Sequence, residues 1–418
     1  MKKKLWMTLG PIIVAFAIFL FILFGPGALF GGVSGKTVNQ SASSMEKKVI
    51  QGVALQKKAL DEGNYVPFFG SSELSRVDSF HPSVIAKKYN RGYTPFLIGR
   101  AGTQSLSHYL DIQALGDSLK GKKVVFILSP QWFQPQGVDD NHFGENFSPL
   151  HAYQFALADV KVSPDRQYAA NRLLHFRVVQ NDKTLTKLLE DIAKSKGGIP
   201  KHKASTQLAG EAQLKILKRK DELDSKFVMK SKQEKIDKRL ANLPKELNFD
   251  QMDKLAIRSG ERQSKNNPFF IRDHYYNKKI KPVLKEQKNK LVNGSYANSP
   301  EFADLQLVLD ALKQAGADAL FINPPVNGAW YKYIGFPQDG LDGYYQKSGA
   351  MLKEQGFDYL DMSAYDDTPY YLQDSIHLGW RGWVAVDRAV HSFMSAPVSA
   401  DYKPVSEKFY LEQSKNKY

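Results

Sequence analysis

Cysteine is missing from all 418 residues. Disulfides, thiolate nucleophiles and Cys-based zinc sites are thereby excluded, although this absence does not by itself fix the compartment. The histidines at positions 81, 108, 142, 151, 175, 202, 274 and 391 show no metal-ligand spacing. No metal and no cofactor is expected. No internal repeat is visible. Negative charge is in short supply: 43 Asp and Glu stand against 58 Lys and Arg, a net charge of +15. Hydrophobic residues, at 42%, are plentiful enough for a sizeable core.

The N-terminus sets the compartment. Met1-Lys2-Lys3-Lys4 precedes an apolar run from Leu5 to Phe24, interrupted by Gly10 and Pro11 near one end. About 20 apolar residues can cross a hydrocarbon core, and the lysines favour a cytoplasmic start with the rest of the chain outside. A cleaved signal peptide is the competing reading, but the run is long for its apolar region. The expectation is an uncleaved single-pass anchor in the cell membrane over residues 1–30, carrying an extracellular body. For such a body, +15 points toward polyanions such as phospholipid headgroups or a phosphate-rich wall polymer. Nucleic acid, the usual partner of such charge, is argued against by the location.

Residues 31–44 read as a Gly/Ser-containing linker and 45–62 as a helix. Strand signals follow at 66–69, 93–98 and 123–128, with a helix at Ser105–Leu115 between the last two. A fourth strand, Asp318–Asn323, is stopped by Pro324-Pro325 and preceded by a helix over 300–315. A fifth is expected at 357–361, and a closing helix from after His377 to about Ser395. Buried strands alternating with helices indicate an α/β fold with a mostly parallel sheet flanked by helices. In such sheets sites lie at the carboxyl ends of the strands. Between residues 163 and 295 the strand signal fades. That stretch is Lys-rich, with Leu214, Ile216, Leu217, Leu223, Phe227 and Met229 interspersed. It is expected to be a basic helical insertion dividing the α/β core into 45–162 and 296–418. Most of its charges read as solvated helix faces.

Two segments about three hundred residues apart complete each other chemically. Phe69-Gly70-Ser71-Ser72-Glu73-Leu74 ends the first strand in a tight turn, with a helix expected to begin at Ser72, and Asp374-Ser375-Ile376-His377-Leu378-Gly379-Trp380 stands near the C-terminus. A serine hydroxyl is a poor nucleophile until a base takes its proton. Free N–H groups at the start of a helical turn can hold a developing oxyanion. An Asp three residues before a His can orient its imidazole. Each segment also has a plain structural reading: Ser71 or Ser72 as an N-cap, and Asp374 with His377 as an i,i+3 surface pair. Asn323 and Asp366-Asp367 could border a pocket but read better as structural or solvated. Trp132, Trp330, Trp380 and Trp383 read mostly as core.

A Gly-x-Ser after the first strand, a Gly loop after the second and a late Asp-x-x-His together resemble the SGNH/GDSL hydrolase pattern. With the apolar N-terminal helix, the same residues resemble more closely the DltD family of Gram-positive teichoic acid D-alanylation. The resemblance implies an SGNH-like (flavodoxin-like) fold. It implies Ser72 as nucleophile, His377 as base and Asp374 as triad acid, with the N–H groups of Ser72 and Gly102 as oxyanion donors. The superfamily's Gly-x-Asn-Asp is replaced by Ser129-Pro130-Gln131-Trp132-Phe133, so Gln131 becomes the substitute donor. Ser71 stands where the superfamily usually has Asp. The implied activity is D-alanyl transfer to teichoic or lipoteichoic acid through an acyl-serine. The implied partners are the membrane, a D-alanyl carrier protein and a membrane-bound acyltransferase. An esterase or thioesterase acting on D-alanyl or acetyl esters shares the same intermediate. A scaffold with a vestigial triad is the non-enzymatic alternative.

Overall fold

The structure is a computed structural model that describes residues 2–25, 32–195, 197–227, 230–406 and 408–413. Among the described residues five short strands form, the first four where apolar runs are cut off by Gly, Pro or Asn. They are β1 (Tyr65–Phe69), β2 (Thr94–Ile98), β3 (Lys123–Ile127), β4 (Asp318–Asn323) and β5 (Asp358–Asp361). They form one sheet in the order β2-β1-β3-β4-β5, and every pairing is parallel. This is the order of the flavodoxin-like doubly wound sheet, whose switch point lies between β1 and β3. β1 pairs with β3 only at Phe68 and Phe69, beyond Pro67, as fits a residue that donates nothing to the ladder. β1, β3 and β4 are buried throughout, whereas the edge strand β5 is largely open. The two faces of the sheet are covered by separate apolar clusters. One is built around Phe69, Phe126 and Phe321, the other around Phe68, Val125 and Ile322.

Three expectations are corrected. The segment read as a linker holds a helix, Gly35–Ser41, whose Val38 is fully buried beside Ala42. The helix expected over 45–62 is two helices, Lys47–Ile50 and Ala54–Glu62. The break is caused from far away. Asp221 on the inserted helix Ala204–Asp224 accepts from Val53 N–H (2.8 Å) and Ala54 N–H (2.9 Å), capping the second helix. A Cβ at Gly52 would lie 2.1 Å from that carboxylate, so only glycine fits there. The helix expected immediately after Ser71 is a single 3-10 turn, Ser72–Ser75.

The segment between β3 and β4 is helical, as the fading strand signal suggests, but its first part belongs to the main core. Leu173, Leu185, Leu188, Leu189 and Ile192 are fully buried with the sheet residues. Arg172 donates to the fully buried Asp304 through both Nε (3.0 Å) and Nη2 (2.7 Å). The N-terminal apolar run is helical over Lys2–Phe24 with Pro11 inside, and Trp6, Met7, Ile12, Ile13 and Phe16 are more than half exposed. No helix is long and apolar enough to cross a membrane among the described residues. Several side chains of this helix, at 2–5, 19–20 and 22–24, fall outside them. The anchor–linker boundary at 30/31 and Met229 also lie outside the described residues.

Candidate active site

β1 ends at the switch point, and its last residues are shaped by contacts that tolerate no side chain. A Cβ at Gly70 would fall 2.3 Å from Glu73 Oε1. At Gly99, which follows β2 with φ +143°, it would fall 1.8 Å from Gly70 O. The two strand ends therefore meet through bare backbone. Glu73 folds back and accepts from Ser71 N–H (2.5 Å) and Ser71 Oγ (2.6 Å). Ser71 is thus committed to Glu73 and makes no side-chain cap. Ser72, next in line, is left with its hydroxyl facing outward at the start of the 3-10 turn, where the first N–H groups have no partner within the turn.

The opposing segment is a tight loop before the helix Trp380–Ser395. Gln373 N–H donates to His377 O (3.0 Å), Gly379 N–H donates to Tyr371 O (2.8 Å), and Leu372 bridges Leu378. A Cβ at Gly379 would lie 2.6 Å from Gln373 N, so glycine closes the loop. Inside it, Asp374 Oδ1 accepts from the backbone N–H of Ile376 (3.0 Å) and His377 (2.9 Å). This Asx-type turn is what the Asp-x-x-His spacing encodes.

Folding brings the two segments together. Ser72 Oγ lies 2.6 Å from His377 Nε2, and His377 Nδ1 lies 2.9 Å from both carboxylate oxygens of Asp374. A carboxylate so placed draws the imidazole proton to Nδ1 and leaves Nε2 free to accept from the serine hydroxyl. Exposure rises along the series: Asp374 is fully buried, His377 is 6% exposed and Ser72 is partly open. Burial would push the Asp374 carboxyl up. Its bonds to His377, the charge of Arg76 and the Ile376 N–H outweigh that and hold it below the usual carboxylate range.

The other expected residues stand apart. Gly102 follows β2 with φ +78°, and a Cβ there would strike the His142 ring at 2.3 Å. Gln131 follows β3 in the 3-10 turn Pro130–Phe133 and spends its amide on Ser129 Oγ (2.5 Å). Among the described residues, no hydrogen bond joins Gly102 or Gln131 to Ser72, Asp374 or His377. Asn323 is structural: it donates to Tyr359 OH (2.8 Å) and accepts from Tyr344 OH (2.5 Å) in full burial. Asp366 accepts from Val326 N–H and Tyr345 OH, and Asp367 pairs with Lys332. Trp132, Trp330, Trp380 and Trp383 are all buried.

Further groups around the site act through contacts that the sequence does not announce. Arg76 Nη1 binds Asp374 Oδ2 from the end of the serine turn, joining the two segments a second time. Arg76 falls in the same short segment as Ser72, which is the one hint it offered. His108 Nε2 donates to Gly70 O (2.9 Å), fixing the carbonyl before the serines. Behind it, the buried Asp111 lies 3.5 Å from His108 Nδ1 and 2.8 Å from His151 Nδ1. The spacing of His108 and Asp111 on one helix was visible; their link to a strand end was not.

The DltD protein family profile matches residues 42–395. Protein DltD of Bacillus subtilis (strain 168) is 40% identical over 395 residues, covering 94% of this chain and 98% of that protein. Protein DltD of Lacticaseibacillus rhamnosus is 38% identical over 421 residues, covering 98% and 96% respectively. Protein DltD of Staphylococcus aureus (strain NCTC 8325 / PS 47) is 32% identical over 390 residues, with 92% and 95% covered.

Proposed function

The chain belongs to the DltD family, and from that premise we propose that it is a membrane-anchored, extracellular serine acyl enzyme that takes part in D-alanyl transfer to teichoic or lipoteichoic acid. The observation that carries this reading is the 2.6 Å approach of Ser72 Oγ to His377 Nε2, with Asp374 behind. His377 takes the Ser72 proton as Oγ attacks the carbonyl of a D-alanyl ester or thioester. The oxyanion rests on the Ser72 N–H, with Gly102 and Gln131 as the further donors the SGNH resemblance implies. His377, now an imidazolium stabilised by Asp374, returns its proton to the leaving group. A polymer hydroxyl, deprotonated by the same imidazole, then resolves the acyl-serine. The low-lying Asp374 carboxyl stays ionised throughout and does not take the proton itself. The family supplies D-alanine and teichoic acid, and the net charge of +15 suits a polyphosphate acceptor. The anchor rests on the Leu5–Phe24 run behind three lysines. A D-alanyl carrier protein and a membrane-bound acyltransferase are the proposed upstream partners.

The test is to give the full-length protein a D-alanyl ester with and without lipoteichoic acid. Transfer to the polymer, abolished by Ser72→Ala, is expected. Release of free D-alanine at the same rate in both conditions would favour the esterase. Undiminished teichoic acid D-alanylation in cells carrying Ser72→Ala would leave only the scaffold.

A further inference from the structure

Beside the serine turn cations outnumber acids: Arg272, Arg239 and Lys235 all act on one buried carboxylate, Asp78, and Lys232 stands next to Lys235. Lys235 and Arg239 are exposed, one helical turn apart, on the inserted helix Gln233–Leu240, a spacing at which like charges repel. Just before that helix, Lys232 is half-buried and donates from Nζ to Ser75 O, at the end of the serine turn (3.2 Å). Burial and the charge of Lys235 hold Lys232 down to about 8. Among the described residues no carboxylate lies within ion-pair reach of Lys232, Lys235 or Arg239. The neighbouring acids are engaged elsewhere, Glu234 with Lys238 and Asp237 with Lys87.

Arg272 comes from a separate part of the insertion and completes the group. Its backbone N–H donates to Gln373 O (2.9 Å), next to Asp374. Its guanidinium lies 5.4 Å from the Trp380 ring and 4.0 Å from Asp78, while its buried Nε has no hydrogen-bond partner. Asp78 and Asp374 are the acids in this neighbourhood. Asp374 is held by His377 and Arg76, and Asp78 is buried and pushed up to about 6. Asp78 therefore offsets at most one of these positive charges.

We propose that Arg272, Lys235 and Arg239, with Lys232 behind them, form a subsite that holds a phosphodiester of a polyol-phosphate acceptor beside Ser72. The inference rests on the acyl-enzyme reading, which it extends to the second substrate. Guanidinium forks match phosphate oxygens, and a group of cations in excess over its one buried acid suits a ligand whose charges repeat along a chain. A phosphate held here carries its neighbouring hydroxyls next to the acyl-serine, between the two segments that build the site. Positioning the acceptor by its charge leaves the hydroxyl free to react.

The test uses full-length protein in detergent, a fluorescent polyglycerol phosphate oligomer, and a fluorophosphonate that reports Ser72 independently of any acceptor. Lys235→Gln with Arg239→Gln, both exposed and outside ion-pair distance of any described carboxylate, should weaken oligomer binding by about tenfold and flatten its dependence on salt. Fluorophosphonate labelling should stay at the wild-type rate. In transfer assays the pair should raise KM for the polymer more than it lowers kcat. Arg272→Lys should retain more binding than Arg272→Gln, since it keeps the charge. Undiminished oligomer binding in the double variant overturns the subsite. So does equal loss of binding to neutral polyol of the same length, or binding to anionic vesicles in preference to the oligomer. Failure of wild-type protein to label at Ser72 would instead count against the acyl enzyme, whatever the binding results.

Discussion

Arg172 and Lys235 are both cations on helices inserted between β3 and β4, yet they live under opposite rules. Arg172 is buried, grips Asp304 with two nitrogens and ties the insertion to the helix before β4. Lys235 is exposed, stands one turn from Arg239 and has no carboxylate within ion-pair distance among the described residues, feeling only the charge of the buried Asp78. A buried charge must be matched or the fold suffers. A charge at the rim can stay unmatched, because water screens it. The first part of the insertion thus acts as core, and the part near residues 232–239 acts as surface with charge to spare. Where charge is left unmatched beside a reactive group, recognition is a better explanation than stability.

Experiments can break this contrast at several depths. The largest effect is expected at the proposed nucleophile: Ser72→Ala should lower acyl transfer by about 10⁴-fold or more, with the thermal midpoint unchanged. A variant that keeps its rate, measured with a D-alanyl ester donor, would remove the reason for the contrast. Next, Arg172→Leu should destabilise the body by about 3–5 kcal/mol in denaturant titration, because Asp304 is left buried and unpaired. Double substitution with Asp304→Leu should recover much of that loss.

The third test concerns pH. Burial first, then the nearby Asp367 and Asp361, push the Asp366 carboxyl up to about 7 against the bonds from Val326 N–H and Tyr345 OH. The folded state binds this proton more tightly than the unfolded chain. Its contribution is therefore full below about pH 4 and is lost as pH rises through 7. Asp366→Asn should flatten that limb of a stability–pH curve by about 1–2 kcal/mol relative to the parent. An unchanged curve would show that the carboxyl is ionised in the fold. Smaller again, Asp221→Ala should cost about 1 kcal/mol by uncapping the helix Ala54–Glu62. Smallest, Glu234→Gln should leave the denaturation midpoint where it is, since Glu234 and its partner Lys238 are both exposed.

The sheet was legible because the first four strands are short apolar runs ended by Gly, Pro or Asn, and the five observed strands fall within a residue or two of their expected places. The parallel order followed from helices between them. Ser72, Asp374 and His377 were legible as residue types in two local turns, and the structure brings them within hydrogen-bond reach. What escaped was long-range. The break at Gly52 depends on Asp221, 168 residues from Val53. The helix Gly35–Ser41 hid within polar composition because only Val38, Ser41 and the flanking Ala42 need to be buried. Arg76 and His108 act through contacts with Asp374 and Gly70 O that no local pattern announces. Gly102 and Gln131 were named by likeness to the superfamily blocks, and their bonding here is to their own surroundings.

The hydroxyl and imidazole sit 305 positions apart, one early in the body and the other close to its end. A polypeptide emerging N-terminus first therefore displays its serine long before any base can reach it. On the acyl-enzyme reading, reactivity at position 72 requires the segment that carries His377 to have docked, so a covalent serine probe is expected to count folded molecules and ignore those in which that segment is still loose.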